Sequence, residues 1–226
     1  FVAWFEDLKA TGPGQGDALF PWLAESASYE EMRWFVEQEV AGEAGFDDLV
    51  ALAQIKAPVT AKLELARNYW DEMGRGNAKG MHGPMLEVLA RELDVAPEID
   101  TTEAPALALG NAMIAMATNR AYAYHAIGAL GVIELTAPGR AAQVGAGLRR
   151  LNVPAKARHY FDLHAVLDVK HSEAWNREVF LSLVDENPDC AKYLAEGALM
   201  RLSCGEACFE AYRRHLWGGN GASVAA

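Results

Sequence analysis

Three features of the sequence predict an all-α fold. Apolar residues recur with a period close to 3.6 nearly throughout, no alternating strand segment bounded by turn residues occurs, and breaks rich in glycine or proline separate the periodic runs. A chain of 226 residues, 51% of them apolar, is long enough for one well-buried core, so a single domain over 1–226 is expected.

The first two helices, at 2–10 and 17–25, flank the flexible stretch TGPGQG at 11–16. A helix at 28–53 follows, with Met32, Phe35, Glu39, Gly42, Phe46 and Leu49 in strict 3,4 spacing. Helices at 57–73 and 80–93 are separated by GRGNAKG at 74–80, which is too glycine-rich to remain a regular helix. The connector DVAPEIDTTEAP at 94–105 leads into a long apolar helix at 103–135; Pro138 lies just beyond it, and a shorter helix is expected at 138–150. Two more run over 155–185 and 189–216, with ENPD at 186–189 ending one and starting the other, and a frayed tail over 217–226.

Composition excludes several classes of function. A formal charge of −11 and a pI near 5.0 argue against a nucleic-acid surface, which needs clustered Lys and Arg to neutralise phosphates. No apolar run approaches the ~20 residues that span a bilayer, so no membrane partner is expected. No charged segment followed by an apolar one opens the chain as a secretory signal would, although it begins at Phe1 rather than methionine and leaves room for a preceding segment. Cys190, Cys204 and Cys208 are odd in number and late in the chain, which points to a reducing, cytoplasmic setting. Cys204 and Cys208 lie one helical turn apart, a spacing that ordinary helix packing explains.

The chemistry is carried by polar residues on apolar faces. In YFDLHAVLDVKHSEAW, His164, Asp168 and His171 stand at i, i+4 and i+7. At about 100° per residue they fall within roughly 60° of one another, in the middle of a core-facing stripe running from Phe161 to Trp175 and Glu178. Burying a carboxylate is costly unless a cation compensates it, and a divalent metal is the strongest such cation. Other helices should then supply inward acids. Glu39 sits on the 28–53 stripe, while Glu43, one turn on, reads as closer to an edge. Glu134 is the lone acid of its long apolar helix. Glu72, with Asp71 as a competitor, precedes His82 by ten residues. On a continuous helix Glu72 and His82 would diverge by about 80°, but the glycines between them permit a bend. Four carboxylates (Glu39, Glu72, Glu134, Asp168) and three imidazoles (His82, His164, His171) suit a di-iron or di-manganese site better than structural zinc or calcium. The two Glu-x-x-His pairs of ferritin-like proteins are absent.

These residues resemble the heme-oxygenase-like di-iron oxidases and oxygenases, also described as iron-containing redox enzymes. The likeness rests on Glu72 with His82, on Glu134 in a central helix, and on HAVLDVKH as the family's H-x3-D-x2-H; it spans roughly residues 30 to 185. The resemblance implies a heme-oxygenase-like bundle of seven core helices plus short extra ones, binding two Fe(II) ions and no heme. His164, Asp168, His171, Glu72, His82 and Glu134 would be ligands, completed by Glu39 or, as the alternative, Glu43. It further implies O2 as cosubstrate, a peroxo-di-iron intermediate, and oxidation of a small molecule. The long Glu72 to His82 interval looks most like members that N-oxygenate amines and guanidines or cleave amino acids. An external reductant and a homodimer are compatible with it. Metal-independent relatives of the thiaminase or quinone-cofactor-synthase type, and a non-catalytic metal or small-ligand binder, are the competing readings. Arg75, Lys79, Arg120 and Tyr124 are candidate pocket-edge groups for a substrate carboxylate, with solvation or packing the plainer role of each.

Overall fold

The structure, a computed structural model, describes residues 1–43 and 45–218. The described residues form a helical bundle without strands, apart from one isolated bridge between Met73 and Met81. In chain order the helices are α1 (Val2–Thr11), α2 (Leu19–Glu25), α3 (Tyr29–Gly42), α4 (Phe46–Ala53), α5 (Val59–Glu72), α6 (His82–Glu92), α7 (Ala104–Thr118), α8 (Ala123–Arg150), α9 (His159–Ala174), α10 (Leu181–Glu186) and α11 (Cys190–Gly218). The tail expected at 217–226 is helical as far as Gly218, and its remaining residues lie outside the described ones.

Helix α8 is the centre of the bundle, and α9 and α11 pack along it. It meets α11 backbone to backbone. A Cβ on Gly128 would collide with the Leu194 carbonyl, and one on Gly197 would collide with the His125 carbonyl. This mutual pair of glycines sets the approach of the two longest helices. The core falls into two groups of side chains. One gathers Phe5, Leu65, Leu130, Trp175, Phe180 and Leu194; the other gathers Leu19, Phe35, Leu89, Leu148, Phe209 and Tyr212. Each fully buried Leu or Phe contributes about 1.5–3 kcal/mol by leaving water. A cavity lies between the groups, bordered by Phe46 and Met113 of the first and by Phe20 and Leu86 of the second.

Three departures from the expected helices bear on that cavity. The run at 28–53 is two helices: α3 starts in a capping box between Ser28 and Glu31 and ends at Gly42, Glu43 is extended (φ −69°, ψ 117°), and Gly45 turns left-handed at φ 78° before α4. The helix expected at 103–135 breaks at Asn119, whose side chain accepts from the Ala121 amide at 3.0 Å. Helix α8 then continues through Pro138 to Arg150 instead of stopping. Proline gives no N–H to the Glu134 carbonyl, and burial of α8 along its length outweighs that loss. Finally, the helix expected at 155–185 holds a π turn, Trp175–Phe180, between α9 and α10. The extra residue moves Val179, rather than Glu178, into the core.

Candidate metal centre

Four helices and one helix junction deliver ionisable side chains to one end of the cavity. From α5, Glu72 is 3% exposed and sits at the last helical position. The chain then reverses through two 3-10 turns, Gly74–Gly76 and Ala78–Gly80, with Gly74, Arg75 and Gly76 all at positive φ. The Met73–Met81 bridge closes this reversal and starts α6 at His82. The expected divergence of Glu72 and His82 is thereby cancelled: His82 Nδ1 lies 2.9 Å from Glu72 Oε2. Helix α9 presents His164, Asp168 and His171, all buried, and α8 presents Glu134, 1% exposed.

Neighbouring groups fix the orientation of these side chains. His164 donates from Nδ1 to the Tyr160 carbonyl at 2.7 Å, which turns Nε2 toward Glu72 Oε2 at 3.6 Å. His171 donates from Nε2 to Asp71 Oδ2 at 3.2 Å. Its Nδ1 then faces Glu134 Oε2 at 3.4 Å, Glu72 Oε1 at 3.6 Å and Asp168 Oδ1 at 4.0 Å. Asn68 donates from Nδ2 to Glu134 Oε1 at 2.6 Å. Asp71, the competitor of Glu72 in the sequence, thus orients an imidazole from behind, as groups that hold metal-binding histidines do.

Buried polar atoms in folded proteins almost always find partners. Here His164 Nε2, His171 Nδ1 and Asp168 Oδ1 are buried and hydrogen-bonded to nothing among the described residues. Glu72, His82 and His164 form one group whose donor atoms lie within 4.8 Å of one another, and Glu72, Glu134 and His171 form a second. Glu72 belongs to both. The unpartnered atoms and the mixed imidazole–carboxylate donor set fit borderline first-row metals such as iron or manganese.

Glu39 and Glu43 are placed differently. One Glu43 oxygen accepts from the Gly45 and Phe46 amides at 2.9 and 3.0 Å, and the other lies 3.4 Å from His82 Nε2. Glu39, one turn earlier in α3, instead has Arg201, Arg140 and Tyr212 as neighbours. Carrying the 3,4 stripe past Gly42 concealed this, because α3 ends there and Glu43 swings out of the helical phase. The carboxylate beside the imidazoles is Glu43.

Electrostatics follow from this crowding. Burial alone would raise the pKa of Glu72, but the facing imidazoles of His164 and His82 outweigh it and hold the carboxyl below its ordinary range. Burial likewise opposes charge on His82, yet Glu43 and Glu72 raise its pKa well above the usual value. His171, opposed by burial and held by Glu134 and Glu72, reaches about 10. Burial, then Glu134 and Glu72, push Asp168 well above the usual carboxyl range. Without metal the cluster therefore holds protons on His82, His171 and Asp168, which cations would displace.

The cavity measures about 170 Å³ and runs from this cluster to Glu39, Arg140, Arg201 and Tyr212, between walls that include Phe35, Leu109 and Ile133. Of the sequence candidates for its edge, Arg75 is exposed and paired with Asp71 at 2.6 Å, while Arg120 and Tyr124 line a separate pocket with His125 and Tyr193. Sequence reading missed Asn68 and Tyr160, although each stands four residues before a cluster residue on the same helical face. Tyr160 places its hydroxyl 3.0 Å from His82 Nε2. Cys190 and Cys208 are buried free thiols, and no cysteine belongs to either donor group.

The all-α bundle thus encloses a cluster of buried carboxylates and imidazoles that could hold a metal ion. A family model described as iron-containing redox enzyme matches residues 33–206, and the chain belongs to that family. Its members are oxidoreductases by that description. A CADD-like protein of unknown function from Nostoc punctiforme PCC 73102, solved at 2.00 Å, is similar over 95% of this chain and 96% of its own, with a TM-score of 0.72 at 16% identity. The same protein solved at 1.35 Å is similar over 99% and 96%, with a TM-score of 0.70 at 16% identity. At that identity the likeness establishes the fold. No curated protein matches the sequence.

Proposed function

We propose that the protein is a di-iron oxygenase or oxidase that uses O2 to oxidise a small molecule. Glu43, Glu72, His82, Glu134, His164, Asp168 and His171 would hold two Fe(II) ions. The observation that carries this reading is the place of Glu72 in both donor groups, as expected of a carboxylate between two ions. Seven candidate ligands also exceed what one octahedral ion accepts. Bound ferrous iron supplies the electrons for O2 activation, and an external reductant restores them where the substrate does not.

The protein's own part is positional. Asp71 and the Tyr160 carbonyl hold a ring proton of His171 and of His164 on the far side of each ring, so the inward nitrogens are the ones that would offer lone pairs to metal. Asn68 holds one oxygen of Glu134 and leaves the other to the cluster. Apolar walls such as Phe35, Leu109 and Ile133 lower the local dielectric and strengthen the charge interactions beside them. The family resemblance favours an amine, guanidine or amino-acid-like substrate, oxygenated at nitrogen or cleaved at a C–C bond. Anaerobic titration with Fe(II) tests the centre: saturation near two irons per chain is expected, and saturation at one in fully competent protein refutes it.

A further inference from the structure

The end of the cavity away from the cluster carries two arginines that the proposed centre does not use. Arg140 extends from α8 and Arg201 from α11, and both line the cavity with Glu39. Arg140 lies against the T-shaped pair of Phe20 and Phe209, its Cζ 5.8 Å from the Phe20 centroid and 5.5 Å from that of Phe209, and it donates from Nη2 to Thr136 Oγ1 at 3.0 Å. Arg201 keeps a buried Nε with no hydrogen-bond partner among the described residues. Several other arginines pair closely with acids, as in Arg75–Asp71 at 2.6 Å and Arg158–Asp162 at 2.9 Å. Among the described residues neither Arg140 nor Arg201 has a carboxylate within 4.0 Å. Gly205 supplies the space, since a Cβ there would lie 2.9 Å from Arg201 Nη1.

Two guanidinium charges facing one carboxylate leave a single positive charge uncompensated, a costly state for enclosed groups. Burial first and Arg201 next lower the pKa of Arg140 to about 10, in keeping with a site short of an anion.

We propose that Arg140 and Arg201 form an anion subsite that receives the carboxylate of the substrate, leaving its oxidisable end at the carboxylate–imidazole cluster. The planar fork of a guanidinium matches a carboxylate edge, and one negative charge balances the site where a phosphate dianion would overfill it. Glu134 and Arg140 stand six residues apart on α8, about 9 Å along its axis, which separates the two ends of the bound molecule. A cavity of about 150 Å³ accepts a benzene-sized body, so about 170 Å³ suits an acid with a short apolar body. The inference rests on the metal-centre reading only for the direction in which that molecule points.

Calorimetric titration of the purified full chain, without added metal, with straight-chain carboxylates of four to eight carbons and their primary amides tests the subsite. At least one carboxylate should bind tenfold or more tightly than its amide, and Arg140→Gln or Arg201→Gln should each remove that preference. Gly205→Ala serves as the folding control, because it displaces only the end of a flexible side chain and should weaken carboxylate binding without lowering the melting temperature. Equal binding of acid and amide, binding of neither, or a preference that survives all three substitutions overturns the proposal. Fe(II) stoichiometry on the same variants separates the two readings. Two irons with no carboxylate preference refutes the subsite alone, and a carboxylate preference with fewer than two irons refutes the centre alone.

Discussion

Glu72→Gln should remove both metal ions rather than one, because Glu72 alone is common to the two donor groups among the described residues. The metal-free protein should feel the change as well. The carboxylate accepts from His82 Nδ1 at 2.9 Å and lies 3.6 Å from both His164 Nε2 and His171 Nδ1. Removing one partner of a buried ion pair costs about 3–5 kcal/mol. The amide keeps one acceptor oxygen, so the low end applies, about 3 kcal/mol. For a chain of this size each kcal/mol lowers the melting temperature by about 2–4 °C, giving a drop of about 6–12 °C. Wild type should gain about 2.7 kcal/mol per site at metal concentrations a hundredfold above Kd, and the variant should gain nothing. Anaerobic Fe(II) titration with circular-dichroism melts, with and without metal, measures both effects. A variant that keeps one iron and half of the metal-dependent stabilisation would show that the ions do not share Glu72. One that melts with wild type in the absence of metal would show that this carboxylate does not anchor the imidazoles.

Glu43→Ala should reduce iron stoichiometry to one or below while Glu39→Ala leaves it at two, read by the same titration; the reverse pattern would restore Glu39 as the ligand. His164→Phe, His171→Phe and Asp168→Leu should each give an apo-protein whose melting temperature no longer rises with metal, because a ligand that binds only the native state stabilises by mass action and these variants lack a donor for it. A raised imidazole pKa adds stability that is complete below the ordinary value and vanishes as pH climbs through the folded one, while a raised carboxyl pKa also weakens folding as pH rises. The metal-free protein should therefore lose stability between pH 6.5 and about 10, the window set by His171. Metal affinity should rise with pH over its lower part as protons leave the ligands, so the gap between metal-loaded and metal-free melting curves should widen with pH. A constant gap would mean that the imidazoles do not exchange protons for metal.

What the sequence concealed traces mostly to helical phase. The α9 face was legible because His164, Asp168 and His171 lie within one unbroken helix, where about 100° per residue holds. The meeting of Glu72 with His82 was legible as a possibility through the glycines of GRGNAKG, but the Met73–Met81 bridge that enforces it is a tertiary contact. Glu43 was misplaced because its stripe was continued across the end of α3. Arg140 was overlooked because Pro138 was read as a boundary, which put it on a different helix from Glu134, whereas α8 carries both. Burial along α8 overrode a local rule, as tertiary context does.

The π turn after α9 joins two rotational settings of one rod. Upstream, the helix is clocked to the cluster; downstream, Val179 and Leu183 are clocked to the apolar interior. Winding the same residues as regular α-helix would rotate one setting against the other by about 100°, whereas removing a single residue from 175–180 would restore α-helical winding with both settings kept. The π turn and the extra residue between His171 and Val179 are thus matched to each other, and this interval should tolerate loss of one residue from the turn while rejecting the insertion of another.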